Sequence, residues 1–340
     1  MANDWIIEKR YNSGYQFLQD ITFGGDFFFN EKKNFIYRGQ STEDYKLIPT
    51  ALRMKIEDLV DYALIKADEI CECETFQIMA ESQILHEFYE RCDYNNLYVP
   101  SESSLRMNVV YSNDYKNLLT PTKWLSDDLF EIAGIAQHYG VPTRLLDWTY
   151  SINVAIYFAI SDYFRNESLF GKTGNIVIWV LDITITKPMF VNQFVNQSIG
   201  NGLDIPLRFI RPSYNGNPNL AAQRGLFSLW QISRNRDTSD SIDREPLDEK
   251  LLKFIQKDQK MEQLFPKPLM YKLVIPNNDI FVLYQYLLSQ NINASSLFPG
   301  YAGVKRAMDE NLVMRKHMPV GRQLYVDENQ ISISTIKLNL

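Results

Sequence analysis

The chain has few cysteines, no signal peptide and no long apolar run. Three cysteines in 340 residues are not the even, regularly spaced set that a disulfide framework uses. Met1-Ala2-Asn3-Asp4-Trp5 lacks the basic start and apolar run of a secretory signal. No apolar stretch approaches the roughly 20 residues of a membrane-spanning helix. We therefore expect a cytoplasmic protein that does not bind membranes.

Metal-binding and standard nucleotide-binding motifs are also absent. Cys71 and Cys73 have no second pair of Cys or His at zinc spacing, so no structural metal is predicted. Neither GxGxxG nor GxxxxGK[ST] occurs, which leaves the standard dinucleotide fold and the P-loop unsupported. A net charge of −6 argues against wrapping duplex DNA, although it permits a local basic pocket for one nucleotide.

Helical and strand patterns are mixed along the chain without a regular βαβ alternation. This mixture favours an α+β fold, with a mainly antiparallel mixed sheet packed with helices. We expect a single domain over 1–340 that contains a helical and loop insertion at about 52–126. Strands are predicted at 174–182, 207–211, 226–232 and 270–275, and helices at 127–139, 151–164, 249–256, 279–289 and 300–315. Within the insertion we expect two helices over 52–92 and a loop over 95–123, and the carboxyl end, 323–336, reads as a strand or hairpin.

The first candidate site segment is Tyr37-Arg38-Gly39-Gln40. The apolar residues before Arg38 predict a short strand that Arg38 and Gly39 close. An arginine at a strand end, beside a residue without Cβ, can direct a bidentate cation toward phosphate or carboxylate oxygens. The alternative is that Arg38 pairs with a buried carboxylate and only stabilises the loop.

The second segment, 137–148, crowds imidazole, guanidinium, carboxylate and indole groups between two apolar helices. Burying such groups is costly unless each finds a partner, so His138 or Arg144 is a candidate to face a cleft. The alternative readings are a satisfied His138 at a helix end and an Arg144–Asp147 pair. We expect Gly140 to end the first helix in the left-handed region. The indole group in the segment 137–148 is the side chain of Trp148.

Hydroxyl residues precede the second helix, and arginines and a glutamine lie beside later predicted strands. Thr149 or Ser151 is placed to cap the helix, and the open amides there could instead attract a phosphate or ribose oxygen. Farther along, Gln223 and Arg224 precede a predicted strand, and Arg208 and Arg211 flank an apolar pair. Several arginines beside apolar segments are candidates to converge on an anion.

Together these segments resemble the FRG-domain family, whose name comes from an aromatic-Arg-Gly element. The resemblance covers roughly residues 30 to 310 and implies a protein of bacteria or their phages, such as a toxin or phage-defence effector. It is carried by four elements: Tyr37-Arg38-Gly39, the run from Gln137 to Thr149 continuing to Phe158-Ala159, the run from Gln223 to Phe227, and Ser296-Leu297-Phe298-Pro299-Gly300 with Gly303.

A second resemblance is to ADP-ribosyltransferases. An aromatic-Arg-Gly strand and a hydroxyl residue ahead of an Ala-x-x-Phe-Ala helix are similar to motifs of those enzymes. The resemblance implies NAD as a co-substrate, with none tightly bound. Carried over, Arg38 would contact the phosphate or ribose side of NAD and Thr149 would support the nicotinamide-side pocket. Gln223 stands where such enzymes have a catalytic glutamate, and Asp147 is the candidate substitute.

Three functions remain open from the sequence. The first is an NAD-dependent ADP-ribosyltransferase-like enzyme acting on a macromolecular target. The second is a binding module that senses a nucleotide or nucleic-acid end without catalysis, and the third is an interaction protein. For the first function, the candidate catalytic residues are Arg38, His138, Asp147, Thr149 and Gln223. For the first two functions, the candidate substrate-binding residues are Tyr37, Gln40, Arg144, Trp148 and Arg224.

Overall fold

A computed structural model describes most of the chain. The described residues are 5–22, 34–66, 70–100, 123–185, 206–233, 241–257 and 267–317, together with Gly25, Phe27, Glu262 and Phe265. The predicted loop over 95–123 and the predicted carboxyl-terminal strand over 323–336 lie wholly or largely outside them. The expected single domain with an insertion at about 52–126 stays a prediction.

A seven-stranded sheet forms the centre of the fold. Its spatial order is β1-β9-β5-β2-β4-β7-β6. Only β1 and β9 pair in parallel among the described strands, and the other pairs are antiparallel. The strands are β1 (Ile6–Arg10), β2 (Phe35–Gln40), β4 (Leu145–Thr149), β5 (Asn175–Asp182), β6 (Leu207–Ile210), β7 (Gly225–Trp230) and β9 (Met270–Pro276), and a separate two-stranded sheet joins β3 (Lys123–Trp124) to β8 (Ile232–Ser233).

Helices pack on the sheet around four apolar clusters. The largest cluster packs several helices, including Gly14–Ile21, Ile152–Arg165 and Ile280–Ser289, against β5 and β9. In chain order the helices are α1 (Gly14–Ile21), α2 (Thr50–Arg53), α3 (Ile56–Tyr62), α4 (Glu74–Tyr94), α5 (Phe130–His138), α6 (Ile152–Arg165), α7 (Pro218–Ala222), α8 (Leu247–Gln256), α9 (Ile280–Ser289), α10 (Ala294–Leu297) and α11 (Tyr301–His317). The α+β prediction is confirmed.

Two local predictions near the site were wrong. Arg38 and Gly39 do not close β2, because the strand continues to Gln40 and pairs with β5 along its whole length. Leu145 to Thr149 form a central strand that the sequence pattern did not indicate. Its polar Asp147 interrupts the apolar run and hides the strand signal. Gly140 does follow α5 in the left-handed region, with φ +85°.

The sheet is weakly joined between β2 and β4. Six residue pairs connect β2 to β5, whereas a single pair, Tyr37 with Thr149, connects β2 to β4 in the described chain. Beyond that pair the two strands no longer share backbone hydrogen bonds. A gap therefore opens beside Arg38 on one strand and Asp147 on the other.

Helix α6 lies against the sheet at this gap. Ser151 caps its first turn by accepting from the Val154 amide at 3.5 Å. The helix approaches β2 so closely that a Cβ on Gly39 would lie 1.9 Å from the carbonyl oxygen of Ala155. Glycine is therefore required at position 39 by space rather than by backbone torsion. Within the described chain, no helix has the length and apolar composition needed to cross a membrane.

Candidate functional site

A cleft of about 710 Å³ lies where β2 and β4 diverge, bordered by α6. Among the described residues, five cationic side chains and two carboxylates line it, so this lining is positive while the whole chain has a net charge of −6. A positive cleft in an acidic protein concentrates anions locally. The cations are Arg38, Lys46, Arg53, Arg165 and Arg306, and the carboxylates are Asp147 and Asp162.

Arg38 reaches across the gap between the two strands. Its Nη1 donates to the backbone carbonyl of Asp147 at 2.8 Å and to the carboxylate Oδ2 at 3.3 Å. Its Nε is buried and has no acceptor among the described residues. The side chain is 15% exposed. Much of the hydrogen-bonding capacity of this guanidinium is therefore unused by the protein.

Asp147 presents a carboxylate to the cleft. The side chain is 51% exposed, and its Oδ2 also accepts from Gln137 Nε2 at 3.0 Å. Gln137 is itself oriented by Thr143, whose hydroxyl donates to Gln137 Oε1 at 2.7 Å. This chain of hydrogen bonds fixes one carboxylate oxygen and leaves the other available to a ligand.

His138 is the last residue of α5 and also lines the cleft. Neither ring nitrogen has a hydrogen-bond partner within the described ranges, so it is not the fully satisfied histidine of the alternative reading. Burial lowers the pKa of His138, and the negative charge of Asp147 opposes that shift. The ring is therefore mainly neutral near pH 7.

Thr149 and Gln223 lie next to each other at the cleft wall. The Thr149 hydroxyl donates to the Gln223 carbonyl at 2.7 Å and accepts from the Ser151 amide at 3.0 Å. Gln223 Nε2 donates to the Leu297 carbonyl at 3.1 Å. Both residues line the cleft as predicted, but the hydrogen of the Thr149 hydroxyl already has a protein acceptor.

Arg144 does not reach the cleft, and its predicted role in binding is not supported. Its side chain is 5% exposed and forms an ion pair with Glu81, from Nε to Oε2, at 2.5 Å. A second ion pair joins Nη2 to Glu74 at 2.7 Å. The suggested Arg144–Asp147 pair is also wrong, because Asp147 contacts Arg38 instead. Arg144 therefore has a structural role, since removal of this cation would leave Glu74 and Glu81 with an unpaired buried charge.

Residues 33–168 match the model of the FRG domain. The chain contains an FRG domain. No curated protein and no solved structure matches the chain. The FRG match includes Arg38, His138, Asp147 and Thr149, whereas Gln223 contributes to the same cleft from outside the matched range.

Three other predicted residues of the FRG domain line the cleft, and two of them also form side-chain hydrogen bonds within the fold. Trp148 is buried and donates to Ser228 at 2.8 Å. Gln40 accepts from Trp179 Nε1 at 2.8 Å. Burial raises the pKa of Tyr37 to about 12, so its phenol stays protonated. All three predicted residues line the cleft.

Arginines beyond the FRG match are divided between cleft and surface. Arg224 is exposed, with φ +47°, and does not line the cleft, contrary to its predicted binding role. Arg208 and Arg211 also lie outside the lining, and Arg211 stacks over Tyr214 at 5.8 Å. None of these three arginines lines the cleft, but the charges of Arg211 and Arg224 both oppose the rise that burial causes in the pKa of Tyr214.

Four cationic residues of the cleft were missed from the sequence: Lys46, Arg53, Arg165 and Arg306. They come from separate loops and helices, and no spacing rule connects them. Phe298 also lines the cleft. It belongs to Ser296-Leu297-Phe298-Pro299-Gly300, the fourth element of the FRG resemblance, which was the one available signal for this wall.

Proposed function

We propose that the cleft of this FRG domain binds a phosphate-bearing nucleotide, with Arg38 as a principal phosphate contact. The observation that carries the proposal is a concave site of about 710 Å³ with five cations against two carboxylates in an acidic chain. That volume lies within the range of about 300–1,000 Å³ that is typical of small-molecule sites.

The state of Arg38 supports a phosphate contact. One of its terminal nitrogens holds the Asp147 carbonyl, and Nε has no acceptor within the described chain. Charge-assisted hydrogen bonds from guanidinium to phosphate are stronger than bonds between neutral groups. A phosphate would supply acceptors that the protein itself does not provide.

Aromatic side chains support the nucleotide part of the proposal. Tyr37, Tyr45, Phe158, Phe227 and Phe298 line the cleft, and Tyr45 is exposed. A nucleobase can stack on such rings with little dependence on its identity. The site therefore combines a cationic part for phosphate with aromatic surface for a base.

Isothermal titration with AMP and with adenosine tests this proposal. We expect AMP to bind and adenosine to bind at least about 10-fold more weakly, because one charge-assisted contact contributes about 1.5–3 kcal/mol. Arg38→Ala should remove the preference for AMP. Arg91→Ala, which changes an exposed arginine paired with Glu87, is the control. Equal binding of AMP and adenosine would contradict the proposal.

A second candidate function is ADP-ribosyl transfer from NAD, and the half-exposed Asp147 carboxylate beside Arg38 favours it. In this reaction the nicotinamide–ribose bond breaks and nicotinamide leaves with the bonding electrons. A nucleophile of the target then bonds to the ribose carbon and loses its proton to a base. Asp147 would stabilise the positive charge that develops on the ribose, and neutral His138 could accept the proton.

Incubation of the purified protein with NAD separates catalysis from binding. If the second candidate is correct, nicotinamide is released as water takes the place of the target nucleophile and bonds to the ribose carbon. Asp147→Asn lowers that rate by about 100-fold or more while NAD still binds. Asp162→Asn, at the other lining carboxylate, is the matched control. Binding of NAD without any release of nicotinamide would support a non-catalytic sensing module instead.

A further inference from the structure

We propose that the cleft has a second anion-binding subsite, formed by Arg306 and Arg165, that is separate from the Arg38 subsite. The ligand would then carry two distinct phosphate positions rather than one. This inference rests on the proposed nucleotide binding and specifies the class of nucleotide. A 5′-phosphorylated dinucleotide fragment of nucleic acid and a phosphorylated dinucleotide cofactor share this chemistry.

Arg306 is held on helix α11 with its guanidinium facing an aromatic ring. The guanidinium carbon lies 4.3 Å from the centre of the Phe298 ring, and Nε donates to Glu310 at 2.9 Å. Nη2 is buried without an acceptor among the described residues. A stacked guanidinium with an unused donor is pre-organised for an oxygen anion.

Glu310 neutralises Arg306 incompletely. One of its oxygens accepts from both Arg306 Nε and the Tyr157 hydroxyl, the latter at 2.7 Å. The other oxygen is buried without a partner, so the two side chains do not form the usual bidentate pair. Burial also raises the pKa of Glu310, against the hydrogen bonds from Tyr157 and Arg306.

Arg165 adds a second positive charge to the cleft lining, and both Arg165 and Arg306 act on the pKa of Tyr157. It is the last residue of α6 and is 62% exposed. The carboxylate paired with it, on Asp162, is 3.8 Å away and already accepts a hydrogen bond from Ser41 at 2.5 Å. Such a loose, exposed pair is weak, which leaves the Arg165 guanidinium free to turn toward a ligand.

The two cationic groups have different neighbours. Arg38 bonds to Asp147 on β4. Burial lowers the pKa of Arg53, and the charge of Arg38 lowers it further. Beside Arg306 and Arg165, burial raises the pKa of Tyr157 while these two arginines oppose that rise. Arg38 bonds to Asp147 and Arg306 to Glu310, with no acceptor shared between them in the described chain, and one phosphate is proposed for each.

Titrations with AMP, the 5′-phosphorylated dinucleotide pApA and NADP test the second subsite. AMP has one phosphate group, and the other two have more than one phosphate position. We expect pApA or NADP to bind about 10- to 100-fold more tightly than AMP, as for an added charge-assisted contact. The one that gains affinity identifies the nucleic-acid end or the cofactor as the source.

Variants at both subsites complete the experiment. Arg306→Met keeps an apolar side chain against Phe298, and Arg165→Gln changes a side chain that is 62% exposed. Each should weaken binding of the favoured two-phosphate ligand by about 10-fold and leave AMP binding within about two-fold. Arg38→Ala should weaken all the nucleotides. If Arg306→Met does not fold, Arg165→Gln tests the second subsite alone, with the same expected weakening of about 10-fold.

The outcomes of the two proposals are distinguishable. If AMP, pApA and NADP all fail to bind the unaltered protein, the proposed function itself is wrong. If AMP binds through Arg38 but neither larger ligand binds more tightly, only the second subsite is overturned. The same holds if Arg306 and Arg165 variants weaken AMP as much as the larger ligand.

Discussion

Arg38 and Arg144 have opposite surroundings, although both precede or belong to strands of the same FRG domain. Arg144 is enclosed by Glu74 and Glu81 and is 5% exposed. Glu81 also accepts from Trp124 at 2.7 Å, which links three elements in one buried cluster. Arg38 has a backbone carbonyl and one exposed carboxylate for partners.

This difference shows how one residue type can serve two purposes within one fold. A buried arginine is stable only when its charge and donors are fully paired. An arginine at the wall of a cleft can keep donors unused, because water or a ligand completes them. The unused donors of Arg38, rather than its charge alone, distinguish the candidate site from the scaffold.

The largest expected effect is loss of stability in Arg144→Ala. This substitution leaves Glu81 and Glu74 without their cation, and we expect the free energy of unfolding to fall by about 3–5 kcal/mol. Chemical denaturation measures the change, with Arg91→Ala as the control at about 0.5 kcal/mol or less. A loss below about 1 kcal/mol in Arg144→Ala would show that the buried cluster is not a structural element.

Gly39→Ala comes next, because its new methyl group has no space. The Cβ would lie 1.9 Å from the Ala155 carbonyl oxygen and 2.6 Å from the Ala159 amide nitrogen. Overpacking of this kind costs about 1–3 kcal/mol of unfolding free energy. Gly174→Ala is the matched control, since its Cβ would meet Asn277 at 3.5 Å, an ordinary contact. Equal melting temperatures for the two variants would refute the close packing of α6 on β2.

Arg38→Ala tests whether Arg38, unlike Arg144, contributes little to the stability of the fold. It removes one good hydrogen bond to a carbonyl, so the free energy of unfolding should change by about 1 kcal/mol or less. The same variant should lose its preference for AMP over adenosine. A stability loss comparable to that of Arg144→Ala would instead place Arg38 in the scaffold.

The smallest effect concerns the titration of His138. Burial lowers its pKa from the ordinary value of 6.5, so the unfolded chain binds this proton more readily. The free energy of unfolding therefore keeps its full value above pH 6.5 and decreases as the pH falls below it, as far as His138 is concerned. Proton NMR of the three histidines, with His138→Gln for assignment, measures the pKa.

A bound phosphate should then raise the pKa of His138, because a nearby negative charge favours the imidazolium. Titration in the presence of AMP measures this change. His86 lies outside the cleft lining and serves as the internal control. A His138 pKa that AMP leaves unaltered would place the phosphate away from this wall.

Local patterns predicted much of the fold. The apolar run at 176–181 predicted β5, and Asp279 to Ser289 predicted α9. Helix α5 ends as expected, because Gly140 stops it. The strand over Leu145–Thr149 escaped prediction, since its identity depends on pairing with β7 far along the chain.

The candidate site was only partly predictable for the same reason. Arg38, His138 and Asp147 were found because they are polar residues in apolar surroundings. The acids that enclose Arg144 lie on α4, more than 60 residues earlier, and no local pattern shows them to be its partners. Arg306 was missed because its position against Phe298 depends on how α11 packs.

The single backbone connection between Tyr37 and Thr149 gives the cleft a seam between two half-sheets. One half contains β1, β9, β5 and β2, and the other contains β4, β7 and β6. The hydrogen bond from Arg38 to the Asp147 carbonyl is a side-chain connection between the two half-sheets. A ligand that attracts this guanidinium would break the hydrogen bond to Asp147. Occupancy of the cleft would then be coupled to the spacing between the half-sheets.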